Sequence, residues 1–173
     1  MAQTYEELTA AIGNAVLGFG QIESMMGTLI AFQYASRENY PSFIADLLGD
    51  DGFSYGLRCN AIRKVLVRND LTEKDAEAAV QPLRALGNTR NMIAHIGKVP
   101  FAGPGDEYLH PKKVGELIRA DDLLALCARF DEQYTPAFNM LKEWLDKLSP
   151  YLREFRRLEA ERKAGASNVP KPM

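Results

Sequence analysis

The sequence predicts an all-α fold, an antiparallel bundle of four main helices. An irregular loop or short hairpin follows the third helix, and an extra C-terminal helix follows the fourth. Three observations predict it. Apolar residues recur at alternating steps of three and four along four long stretches. Helix-start signatures stand ahead of those stretches. Glycine and proline cluster between them, most densely at 98–113. With 173 residues and 46 % hydrophobic content, the chain is the size of one domain with a real core.

The first helix begins at a capping-box pattern, Thr4-Tyr5-Glu6-Glu7. Its seam runs Leu8, Ile12, Ala15, Phe19, Ile22, Met26, Leu29 and Gln33. Gly18, Gly20 and Gly27 interrupt it, each costing roughly 1 kcal/mol against alanine, and close approach of a neighbouring helix is the expected return. Glu23 sits beside the seam, one turn from Phe19 and from Met26. It is either half-buried and in need of a cation or a solvated edge residue.

Ser36 to Pro41 ends that helix, and Ser42 to Leu48 reads as a short helix stopped by Gly49-Asp50-Asp51-Gly52. Phe53 to Arg68 returns to helical spacing through Leu57, Ala61, Val65 and Leu66. Its other face carries Arg58, Arg63, Lys64 and Arg68, a stripe that fits a solvated face or an RNA contact. Asn69-Asp70 turns the chain, and Thr72 caps a third helix with acids in its first turn. That helix continues through Ala76, Ala79, Leu83, Leu86, Arg90, Ile93 and Gly97, with a kink or division expected at Pro82. The loop at 98–113 is expected to pair Lys98-Phe101 with Glu107-His110. Asp121 then caps a long helix with Leu123, Cys127, Phe130, Tyr134, Phe138, Leu141, Leu145 and Leu148 on one seam, kinked at Pro136. Ser149-Pro150 starts a basic C-terminal helix. The domain is therefore 1–148, the extra helix 149–164, and a disordered tail 165–173.

Composition excludes several functions. Net charge is -2 and the pI about 5.8, so nucleic acid would have to meet a local basic patch. Cys59 and Cys127 form no CxxC pair, and each lies in a helical apolar pattern. They read as reduced and buried, which implies a cytoplasmic protein. The N-terminus, MAQTYEEL, shows no signal peptide, and no stretch of about 18 uncharged apolar residues is expected to span a membrane. HExxH, paired-cysteine, GxxxxGK[ST], GxGxxG and GxSxG patterns are missing. What remains is a site without metal or cofactor that works by acid and base, or no catalytic site.

The candidate site is the stretch Leu86–Gly97, LGNTRNMIAHIG. Arg90 stands on the seam where leucine is expected. Arg84, Asn88, Asn91 and His95 form a separate polar row. Asn91 and His95, four apart, lie one above the other. Arg90 is about 140° round from His95 and about 7.5 Å along the helix. The two heads converge if Arg90 reaches round, or if a second copy packs alongside so that Arg90 of one faces His95 of the other. The bland alternative is that His95 caps the helix C-terminus as a cation and Arg90 pairs with Glu23. His110, in the proline- and glycine-rich loop, reads as a surface histidine.

RNMIAH near a helix end, followed by glycine in an all-helical chain, resembles the HEPN superfamily (higher eukaryotes and prokaryotes nucleotide-binding domain). Its hallmark is R-x(4–6)-H, often with a polar residue after the arginine. Arg90, Asn91 and His95 match at the shortest spacing, and the likeness covers roughly residues 4–148. The resemblance implies a homodimeric, metal-independent endoribonuclease. Arg90 would hold the scissile phosphate, Asn91 would orient it or the imidazole, and His95 would take the proton of the RNA 2′-hydroxyl. Glu23 is the expected support for Arg90. Arg84, Asn88, Lys98, Arg63 and Lys64 are the candidates for RNA binding. One branch of the family places a tyrosine two residues past the histidine. Gly97 stands there in this chain, so chemistry depending on that tyrosine is not available. Many prokaryotic members act as toxins or in phage defence under a restraining protein partner. Others are inactive dimers that bind RNA or a nucleotide, or are purely structural, and that is the alternative reading.

Overall fold

The structure, a computed structural model, describes residues 5–35, 39, 42–43, 53–96, 107–109, 117–149, 154 and 157. Four helices carry the fold: α1 (Tyr5–Tyr34), α2 (Tyr55–Arg68), α3 (Glu73–Ile96) and α4 (Ala120–Leu148). The expected all-α bundle is present. Thr4, the expected cap of α1, lies outside the described residues. So do the basic C-terminal helix and tail, apart from Glu154 and Arg157, and the short helix at 42–48, apart from Ser42 and Phe43.

Local signals set the helix ends. Thr72 Oγ1 accepts the Asp75 backbone N–H at 3.1 Å and donates to the Asp75 carboxylate at 2.7 Å, as a capping residue should. Ser54 caps α2 by accepting the Leu57 N–H at 3.4 Å. Asp70 adopts φ 74°, a left-handed conformation that aspartate tolerates, and so turns α2 into α3. Asn69 closes the turn by donating to Gln33 Oε1 on α1 at 2.9 Å and to the Val65 carbonyl at 2.8 Å. The last helix starts at Ala120, so Asp121 lies in its first turn rather than at the cap. A carboxylate in that turn still faces the positive end of the helix dipole. Pro82 and Pro136 each stand inside a continuous helix and divide neither.

Not every helix pair is antiparallel. The Phe19 ring meets the Tyr55 ring at a tilt and Gln33 bonds Asn69, contacts that both join residues 36 apart. A constant offset means that α1 and α2 run in the same direction. The connection at 35–54 carries the chain back before α2 starts. Contacts of α3 with α2 run in opposite order, Tyr55 to Leu83 and Arg63 to Glu73, so this pair is antiparallel.

The connection after α3 holds a two-stranded antiparallel ribbon. Its strands are β1 (Glu107–Leu109) and β2 (Leu117–Arg119), with Glu107 opposite Arg119. Lys98-Phe101, the expected partner of this segment, lies outside the described residues. Ile118 is β-branched and Leu117 apolar, which suits a strand, and β2 feeds directly into α4.

The core fills the space between the helices. Phe19, Ile22, Met26 and Leu29 of α1 meet Ile62 and Leu66 of α2, Leu83, Leu86 and Ile93 of α3, and Leu123, Phe130 and Leu141 of α4. Cys59 and Cys127 are free and buried, as expected. α1 is apolar enough by length and composition to be a candidate membrane span, with mean hydropathy 1.3, although Glu23 breaks its uncharged run. Here its seam packs as a core face, and 44 % of that stretch is buried in the bundle.

The glycines divide by environment. Gly18 faces Tyr134 and Phe130, and a Cβ there would meet the Tyr134 ring at 3.3 Å. Gly20, expected to admit a neighbour, has nothing within 4 Å. Gly87 is the tightest, since a Cβ would lie 2.3 Å from the Tyr55 ring. We expect Gly87→Ala to destabilise the fold by about 1–3 kcal/mol in urea unfolding. Gly20→Ala should stabilise it by up to about 1 kcal/mol, since only helix propensity changes there.

Candidate functional site

The expected site residues fall in a notch created by the shortness of α2. Tyr55, its first residue, meets Phe19 of α1 and the stretch Leu83–Gly87 of α3. Roughly four turns of α1 precede Phe19, and α3 continues roughly two and a half turns past Gly87. Beyond Tyr55, therefore, α1 and α3 have no α2 between them. Asn91 and His95 project from α3 on that flank, and both are exposed. On the same half of α1, Val16 is 48 % and Leu17 76 % exposed.

Arg90 occupies the floor of the notch. It stands in line with Leu83, Leu86 and Ile93, all buried inside this one chain. This seam packs into the chain's own core, between α1, α2 and α4. The arginine is accommodated because its guanidinium lies over the Phe19 ring, 4.7 Å from the centroid. A ring face attracts a planar cation without forming a directed hydrogen bond. Nη1 donates to Asn91 Oδ1 at 3.1 Å, so Arg90 does reach round toward the face that Asn91 shares with His95. That is the one hydrogen bond of Arg90 among the described residues. The rest of its five N–H donors remain available.

Phe19 is fixed in turn by Tyr55, centroid to centroid 4.8 Å. The Tyr55 hydroxyl donates to the Leu83 carbonyl at 2.8 Å, and its ring fills the space left by Gly87. Arg90, Phe19 and Tyr55 are thus in contact in series, from α3 through α1 to α2. Phe19 was legible only as a core residue, and Tyr55 had no signal of its own. Gly87, one turn before Arg90, was the available clue, because a glycine facing α2 leaves room for a ring.

Glu23 does not serve Arg90. No ion pair joins the two among the described residues, and the Glu23 charge acts instead on Tyr55. Burial pushes the Tyr55 hydroxyl well above its ordinary range, and the neighbouring Cys59 and Glu23 add to this. Burial also pushes the Cys59 thiol up to about 11, an effect that nearby Arg84 partly offsets.

The RNA-binding candidates separate. Arg63 pairs with Glu73 and lies 3.9 Å from Glu77. Arg84 donates to Asn60 Oδ1 at 2.9 Å, and its Nε lies 3.4 Å from Glu77. Those two cations tie α2 to α3. Asn88 and Lys64 are exposed. Lys98 lies outside the described residues.

No protein-family model, curated protein or solved structure matches the chain. The likeness to the HEPN superfamily therefore rests on Arg90, Asn91 and His95 and on their helical frame.

The raised thiol predicts a pH dependence. The folded state holds the Cys59 proton to about pH 11, whereas an unfolded thiol releases it near pH 9. Between those values the native state binds more protons, so stability falls as pH rises. The urea midpoint should drop from pH 9 to pH 11, and Cys59→Ala should lessen the drop. An equal drop in both proteins would contradict the assignment.

Proposed function

We propose that the chain is a metal-independent endoribonuclease of the cytoplasm, acting as a homodimer. The observation that carries this reading is the arrangement of Arg90. It is a cation backed by an aromatic ring, bonded to Asn91, with donors left over, and it stands beside an exposed histidine on the same helix end. Fork-shaped donors suit a phosphate, and a neutral imidazole suits proton abstraction near neutral pH.

The chemistry follows. His95 takes the proton of a 2′-hydroxyl, and the freed oxygen attacks the adjacent phosphorus. Arg90 holds the phosphate oxygens as charge builds on them. The 5′-oxygen leaves and takes a proton from His95 of a second copy, because one imidazole cannot be base and acid in the same step. The products are a 2′,3′-cyclic phosphate and a 5′-hydroxyl. DNA lacks the attacking group and is not cut. Asn91 keeps Arg90 turned toward the imidazole. Exposed Val16, on α1 one turn before Phe19, gives a second copy apolar surface to cover. A ribonuclease of this kind fits a toxin or phage-defence component held in check by a protein partner.

Purified protein incubated with mixed RNA in EDTA should yield cyclic-phosphate ends. His95→Ala and Arg90→Ala should each lower kcat/KM by about 10²-fold or more. Cleavage that is equal in all three proteins, or that produces 3′-hydroxyl ends, would refute the proposal. RNA binding without cleavage would favour an inactive binding dimer.

A further inference from the structure

A groove of about 440 Å³ runs along α2 beside the end of α1, away from the notch. Tyr34, Phe53, Leu57, Asn60, Ala61 and Lys64 line it, with Arg63 at its rim. Its size suits one nucleotide-sized group. Tyr34 and Leu57 are 40 % and 48 % exposed, two of the four large apolar side chains so exposed among the described residues.

The charge at this groove is one-sided. α2 carries Arg58, Arg63, Lys64 and Arg68 and no acidic residue, in a chain whose net charge is -2. Arg63 is neutralised by Glu73 and Glu77. Lys64 is exposed and makes no hydrogen bond or ion pair among the described residues. The aromatic walls are held by cations: Arg68 lies 4.9 Å from the Tyr34 ring centroid, and Arg58 lies 5.7 Å from that of Phe53. Asn60 accepts from Arg84 through Oδ1, which leaves its amide N–H groups able to meet a base edge. Flat aromatic surface, an amide and an unspent cation in one groove match a nucleobase with its phosphate. An acidic peptide would use the cation and have no need of the rings.

We propose that this groove binds a single-stranded RNA segment, one base against Tyr34 and its phosphate on Lys64. The inference rests on the ribonuclease reading for the choice of RNA over DNA. The groove would hold substrate outside the cleavage site and supply the attraction that an acidic protein otherwise lacks.

The test is fluorescence anisotropy with a labelled single-stranded RNA about 12 nucleotides long, using full-length His95→Ala protein so that nothing is cut. Added Lys64→Glu should weaken binding about tenfold or more and reduce its salt dependence. Added Tyr34→Ala should weaken it about tenfold, whereas Tyr34→Phe, which keeps the ring, should bind like the parent. Circular dichroism melting establishes that each variant is folded. Parental affinity in folded Lys64→Glu and Tyr34→Ala proteins would overturn the proposal. So would no RNA binding by the parent, or a change in sedimentation with Lys64→Glu while RNA affinity is unchanged. The two readings fail separately. Unchanged RNA affinity in these variants with intact wild-type cleavage removes the groove alone. The expected variant pattern without wild-type cleavage removes the ribonuclease alone.

Discussion

Tyr55 is the residue on which the arrangement of the bundle depends. Its ring lies against Phe19 of α1, its hydroxyl reaches the Leu83 carbonyl of α3, and Gly87 gives it room. One side chain therefore fixes the level at which α2 begins relative to both neighbours. That level decides what is covered and what is open. Below it Asn91 and His95 are exposed, with no part of α2 beside them. Above it Arg63 and Arg84 are drawn into contacts between α2 and α3. The site is open because a helix starts late.

Much of the helical frame was readable from local chemistry. Thr72, the Asn69-Asp70 turn and the seams of α1 and α4 act within a few residues of themselves, so their effects follow from the sequence nearby. The direction of α2 relative to α1 was not readable, because it depends on contacts 36 residues apart, between side chains that look like ordinary core and cap residues. The pairing of Glu107–Leu109 with Leu117–Arg119 was not readable either, since Leu117-Ile118 sits next to the start of a long helix.

The candidate site shows the same division. Spacing placed Asn91 and His95 on one face, and both are exposed there. Spacing also marked Arg90 as out of place on an apolar seam, and this was correct. The partner that accommodates it was not legible. A carboxylate was expected, and the structure supplies a ring. An aromatic face leaves the guanidinium hydrogen bonds unspent, whereas Glu23 would have consumed them. For a residue proposed to receive a phosphate, that difference matters more than the presence of the arginine itself.

The parallel pairing of α1 with α2 bears on how the chain reaches this state. The hairpin of α2 and α3 closes through the turn at 69–72, so its contacts are local and cheap in loop entropy. Helix α1 can join only after the connection at 35–54 has doubled back, and α4 only after the connection at 97–119 has closed. Local pairings form faster than distant ones. The α2–α3 hairpin is therefore the pairing with the least loop entropy to overcome. Arg90 sits on α3 while its aromatic floor sits on α1, so that contact belongs to the long-range part of the fold.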